Sequence, residues 1–130
     1  MFCADSSSWV AYLSGSLGDD VEIIEAGLRD QSIRMAPMVI SEILRDPLLP
    51  PAAEKSLLAI PMLDLVPGFW ERAGKTRANL IKWKCKPKLA DTLIAQVCID
   101  HNMTLHARDT HFRPFAKYAR LQLVLHGVLN

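Results

Sequence analysis

The chain has 130 residues, with 15 basic and 14 acidic side chains for a net charge of +1, and half of its residues are hydrophobic. That balance suits one folded domain spanning residues 1–130 and excludes a polyelectrolyte, so any attraction to nucleic acid has to come from local patches. Three cysteines without a CxxC pair exclude a disulfide framework or a zinc ribbon, and no apolar run reaches membrane-spanning length. With Asp5 standing where a secretion signal needs a basic start, a cytoplasmic protein with reduced thiols is expected.

Met1 to Ala4 is a short apolar run that reads as a first strand, closed by Asp5. Ser6, Ser7 and Ser8 then offer caps for a short helix carrying Trp9, Val10, Tyr12 and Leu13. Gly15 and Gly18 stop it, and Asp19 and Asp20 open a second helix, where acidic residues complement the helix dipole. Its apolar face is Val21, Ile23, Ile24 and Leu28. Ile33 to Ala36 reads as a second strand, and Pro37 starts a helix at the position where proline is tolerated, with Glu42 expected early in it. Pro47, Pro50 and Pro51 break the pattern before a short helix over 52–60. Pro61 to Val66 is a further strand candidate whose proline fits only at its start. A longer helix follows from Phe69 to about Trp83, then a loop of alternating lysines, Lys82, Lys84, Lys86 and Lys88.

From Lys88 onward, Leu89, Leu93, Ile94, Val97 and Cys98 fall at helical spacing, which predicts an amphipathic helix ending near Asn102. Met103 to Ala107 fits a buried strand, and Leu121 to Leu125 a last one. Asp91 to Asn102 rises roughly 17 Å along a helix, and five extended residues return roughly the same distance. A helix followed by an antiparallel strand therefore carries Asp109 back to Asp91.

Short apolar strands alternating with helices predict an α/β fold with a mostly parallel sheet of about five strands, its ligands beyond the carboxyl ends of those strands. Asp5 and Asp109 each follow a strand, Glu42 lies in the helix after the second, and Asp91 opens the helix feeding the strand before Asp109. Four carboxylates are thus expected at one edge. Like charges so crowded raise one another's pKa unless a cation offsets them. Oxygen ligands of this kind suit Mg²⁺ or Mn²⁺, which activates water and stabilises charge at a phosphodiester phosphorus.

The order and context of these acids resemble the PIN-domain ribonucleases, in particular the VapC-like toxins of type II toxin–antitoxin pairs. The matching segments are Asp5-Ser6-Ser7, Val39-Ile40-Ser41-Glu42-Ile43-Leu44, Leu89-Ala90-Asp91-Thr92-Leu93-Ile94-Ala95 and Arg108-Asp109-Thr110-His111-Phe112. The resemblance implies a three-layer α/β/α fold and an endoribonuclease dependent on Mg²⁺ or Mn²⁺. It makes Asp5, Glu42, Asp91 and Asp109 the catalytic, metal-binding set, with Ser7 in support. It also implies a cognate antitoxin as partner and a homodimer. This chain has Ala107 where many relatives carry Thr or Ser, and Thr110 and His111 where a further acid is often found. Those departures give the competing expectation, a PIN-like module that binds RNA or a partner protein without cutting.

Lys84, Lys86 and Lys88 lie close in sequence to Asp91 and are candidate contacts to an RNA backbone. Trp83 is expected to pack in the core. Arg108 is expected to contact phosphate or pair with an acid, and His111 to lie at the surface with an imidazole able to move a proton near neutrality. No GxSxG, GxGxxG or Walker motif is present, which excludes the common serine-hydrolase and nucleotide-cofactor readings.

Overall fold

A computed structural model describes residues 1–127 of the chain. Twelve elements follow in order: β1 (Phe2–Ala4), α1 (Ser6–Leu13), α2 (Asp19–Asp30), β2 (Ile33–Arg34), α3 (Pro37–Ile43), α4 (Pro51–Leu58), α5 (Phe69–Lys82), α6 (Leu89–Asp100), β3 (Thr104–Ala107), a 3₁₀ turn (Thr110–Phe112), α7 (Arg113–Ala119) and β4 (Gln122–Leu125). The four strands form one parallel sheet in the order β2-β1-β3-β4, flanked by helices. In register, Phe2 faces Ile33 on one side and Thr104 on the other, and Ala4 faces His106. The first strand of the chain is therefore central. Its residues read as a continuous apolar run because a parallel strand is covered on both faces.

The expected fifth strand, residues 61–66, is reduced to a single bridge between Met62 and Met35. Met35 donates to the Pro61 carbonyl and Leu63 donates to Met35, both at 2.9 Å, and the pairing stops there. Pro61 has no N–H to extend the ladder, and only Leu63 of this segment turns inward, so nothing holds Asp64 to Val66 against the sheet. The helix α7 was not legible as an element between Asp109 and Leu121. It starts with Pro114 in its first turn and buries Phe115, packing on α5 and β4.

The helix α6 departs from an amphipathic pattern. Thr92, Ile94, Ala95, Gln96, Val97 and Cys98 are all buried, while Leu89 is 56% exposed. It runs through the interior against α5, α3 and β3, and a helix so enclosed needs apolar residues around most of its circumference. The one buried amide, Gln96, accepts from Thr76 and donates to Asp100 at 2.9 Å, and Arg72 grips the same carboxylate with two hydrogen bonds. The end of α6 follows its sequence signal: Asn102 takes a left-handed conformation (φ 54°) and Met103 donates back to Cys98.

Two other chain reversals position the site. Gly18 sits at φ +152°, and a Cβ there would lie 2.5 Å from the Arg108 guanidinium and 2.7 Å from Asp20, so glycine is needed where α2 begins. At the end of α5, Lys84 rather than glycine takes the left-handed position (φ 67°). Lys84 donates to Ile81, and Cys85 donates to Leu80, which closes the helix with both bonds of a Schellman turn. A side chain in that conformation costs about 1 kcal/mol relative to glycine. Lys84→Gly is expected to raise unfolding stability by roughly 0.5–1 kcal/mol. Urea denaturation reads the gain, and an unchanged or lowered midpoint would contradict the strain.

Candidate functional site

Asp5 and Asp109 each leave the carboxyl end of a central strand and cap the turn that follows. Asp5 is the N-cap of α1, its Oδ2 accepting from the Ser7 N–H at 3.2 Å and the Ser7 hydroxyl at 2.8 Å. Its own N–H donates to the His106 carbonyl at 2.8 Å, which locks the end of β1 to β3. Asp109 caps the 3₁₀ turn, its Oδ1 accepting from the His111 N–H at 2.8 Å. Capping and site-building are thus done by the same carboxylates. Ser7 couples the two, since its hydroxyl also accepts from the Arg108 N–H at 3.0 Å, next to Asp109 in the chain.

Asp91 lies in the first turn of α6, and its carboxylate, that of Asp109 and a ring nitrogen of His111 lie within 4.8 Å of one another. The antiparallel run of α6 and β3 brings these two aspartates together. Glu42 is not early in its helix: α3 is only seven residues long and ends at Ile43, so Glu42 stands in its last turn. It still shares a cavity with Asp5 and Asp109, and one of its oxygens, Oε1, is buried with no hydrogen-bond partner among the described residues.

The electrostatics mark these acids as one cluster. Burial raises the pKa of Asp5, against the pull of the Ser7 hydrogen bonds, and the Asp109 charge raises it further. Burial and then the Asp5 charge raise Glu42. For Asp91, burial followed by the charges of Asp109 and Asp5 pushes the pKa up to about 6. Among the described residues no lysine or arginine forms a salt bridge with any of the four, and His111 Nδ1 lies 3.1 Å from Asp109 Oδ1. Arg108 is turned elsewhere. Its guanidinium donates to both oxygens of Asp20, at 2.8 and 2.9 Å, and to the Leu17 carbonyl, so it is a structural tie and not free for phosphate. Asp20, wholly buried, carried no signal in the sequence beyond its place in a first helical turn.

Two cavities flank the cluster. The larger, about 840 Å³, is lined by Asp5, Glu42, Asp46 and Asp109 with Arg45, against an apolar wall that includes Val10 and Leu13. The smaller, about 360 Å³, holds Asp91 and His111 with Lys86 and Lys88. Lys84 stands outside both, exposed on the same loop. Trp83 does not pack in the core: it is 56% exposed and stacks flat on Tyr118, with centroids 5.3 Å apart and 9° between planes. A tryptophan ending α5 at its exposed C-cap finds its partner on α7, the helix that the sequence did not reveal. Ala107 is fully buried on β3, so its side chain belongs to the core. His106 and His126 meet at 2.8 Å, but no third ligand joins them among the described residues.

The donor set fits a hard divalent cation. Carboxylate oxygens converge with no lysine or arginine salt-bridged to them among the described residues, and the buried Glu42 Oε1 lacks a donor. The imidazole of His111 beside Asp91 and Asp109 adds a nitrogen, which a transition ion accepts more readily than Mg²⁺ does.

The chain matches no protein-family model and no curated protein at the level of sequence. Solved structures share its fold. VapBC2 from Rickettsia felis, bound to a DNA fragment from its promoter, aligns at a TM-score of 0.73 and 17% identity, over 95% of this chain and 97% of that one. VapBC-5 from Mycobacterium tuberculosis, a member of the VapBC family of toxin–antitoxin systems, aligns at 0.65 and 12%, again over 95% and 97%. FitAcB from Neisseria gonorrhoeae aligns at 0.67 and 17%, over 95% and 96%. The fold is therefore the PIN-like α/β fold, along nearly the whole chain. Among the described residues, no helix is long and apolar enough to cross a membrane.

Proposed function

We propose that the protein is a divalent-metal-dependent endoribonuclease, the toxin of a toxin–antitoxin pair. One observation carries the reading: four carboxylates from separate parts of the chain gather at the carboxyl edge of a parallel sheet, Asp5, Glu42 and Asp91 with raised pKa values, and none of the four in a salt bridge with lysine or arginine among the described residues. Asp91, Asp109 and Asp5 would hold Mg²⁺ or Mn²⁺, with His111 favouring Mn²⁺. When bound, the ion supplies an activated water and neutralises charge on the phosphate oxygens. Ser7 fixes the Asp5 carboxylate, and Glu42, with its unpartnered oxygen inside the larger cavity, orients the attacking water and takes its proton.

The VapBC structures supply the likeness on which the partner rests, and a cognate antitoxin is proposed here by that analogy of fold. The exposed Val10 and the rest of the apolar wall beside the acids give such a partner a surface to cover. A homodimer and a cytoplasmic location are proposed on the same likeness.

Purified protein incubated with a mixed RNA pool is expected to cut it in Mn²⁺ and not in EDTA. Asp5→Asn should lose more than the ~10–100-fold that removal of an outer-shell metal partner costs. Cleavage that persists in chelator or in Asp5→Asn overturns the mechanism. Failure to cut any RNA in metal would instead leave a PIN-like binding module.

A further inference from the structure

The two cavities on either side of the acid cluster differ in charge. The larger carries Asp5, Glu42, Asp46 and Asp109 against a single arginine, Arg45. The smaller carries Lys86 and Lys88 against a single acid, Asp91, with the imidazole of His111 beside them. A phosphate chain crossing the cluster is repelled on the first side and neutralised on the second. The second cavity is also the right shape for part of such a chain. Its floor is apolar, formed by the half-buried Cys85, Pro87 and Pro114 over the fully buried Leu80 and Phe115. Its volume of about 360 Å³ lies at the small end of the ~300–1,000 Å³ found for ligand pockets, room for one nucleotide and not for a helix or a duplex.

The walls are also set in advance. The Schellman turn at Lys84 and Cys85 fixes one end of the lysine loop, and Arg77 Nε donates to the Pro87 carbonyl at 3.3 Å to fix the other. Lys86 and Lys88 stand exposed at the mouth, and Asp91, shared with the acid cluster, closes the inner side.

We infer that this cavity is a nucleoside subsite for single-stranded RNA: one unstacked base rests on the apolar floor, and its phosphate lies between Lys86 and Lys88 and the acid cluster. Only an unpaired nucleotide can enter, because a base must leave its stack to reach the floor. The subsite rests on the ribonuclease reading and adds to it a place where the cut site is chosen.

Cys85 gives a readout that needs no turnover. It is half-buried in the cavity wall, whereas Cys3 and Cys98 are fully buried, so a small maleimide reports on Cys85. In Mg²⁺, nucleoside 5′-monophosphates or a short unstructured oligoribonucleotide are expected to slow its modification several-fold, as read by mass spectrometry. Inorganic phosphate alone should not. The Lys86→Ala/Lys88→Ala double variant, altered only at exposed positions, should lose the protection and raise KM for RNA. Equal protection by phosphate, no protection by any nucleotide, or full protection in the double variant each overturns the subsite. RNA cleavage without nucleotide protection overturns the subsite and leaves the nuclease reading standing. Protection without cleavage supports the subsite and overturns that reading.

Discussion

Asp91→Asn is expected to make the protein more stable while abolishing RNA cleavage. Burial, then the charges of Asp109 and Asp5, raise the Asp91 pKa from 3.8 to about 6. A carboxyl whose pKa is raised on folding adds stability that is fully present below its unfolded value and is lost as pH rises through the folded value. Between pH 3.8 and about 6 that contribution disappears, and at neutral pH the ionised group works against the fold. Two pKa units correspond to about 3 kcal/mol, which solvent screening of a partly exposed group lowers to about 1–2 kcal/mol. The neutral amide removes the repulsion, for a rise in Tm of about 5 °C at pH 7.5. The gain should shrink as pH falls toward 4, where wild-type Asp91 is itself protonated. Mn²⁺ should raise Tm for wild type and less for the variant, since ligand binding to the folded state stabilises it in proportion to affinity. A variant no more stable than wild type at pH 7.5 would refute the clustered-charge account.

Arg108→Ala has the largest expected effect on folding. Asp20 is wholly buried, and its two oxygens are held by the Arg108 guanidinium at 2.8 and 2.9 Å. Burial acts to raise the Asp20 pKa, but the Arg108 hydrogen bonds and charge prevail and bring it down to about 2. Removing the arginine leaves a buried charge uncompensated, a loss of about 3–5 kcal/mol by comparison with other broken buried pairs. Here the sign is the reverse of that for Asp91. The pair's contribution is present above pH 3.8 and is lost as pH falls through about 2. The urea midpoint of the variant should lie far below that of wild type at neutral pH, with the gap closing in acid. The double variant Arg108→Ala/Asp20→Asn should recover part of the loss, because both members of the pair are then uncharged. A gap that stays constant through acid would mean that packing, not the ion pair, sets the cost.

The alternation of apolar runs and helices made most of the fold legible, and after β1 and β3 the strand end is followed by an aspartate, Asp5 or Asp109, that caps the next turn. What stayed hidden was tertiary. The buried character of α6 depends on α5 and α3 lying over it, and a spacing rule that assumes one wet face misplaces Leu89. The stretch at 61–66 has strand composition but a proline and an aspartate where a ladder needs a donor and an inward apolar residue. For the site, Asp91 and Asp109 could be brought together from helix and strand rise alone. Asp20 could not, because its partner lies 88 positions away and nothing local distinguishes it from Asp19. The stacking of Trp83 on Tyr118 was equally out of reach without α7.

The central position of β1 has a consequence for the order in which the molecule becomes itself during synthesis. Phe2 pairs with Ile33 early, but its other neighbour is Thr104, and Asp109 lies beyond that. At ~5–20 residues per second, the roughly hundred residues between Asp5 and Asp109 take about 5–20 s to be made. Until then Asp5 lacks its β3 anchor and the carboxylate of Asp109. On the ribonuclease reading, a ribosome making this chain is exposed to no nuclease until translation has passed Asp109, which leaves an antitoxin that interval to be in place first.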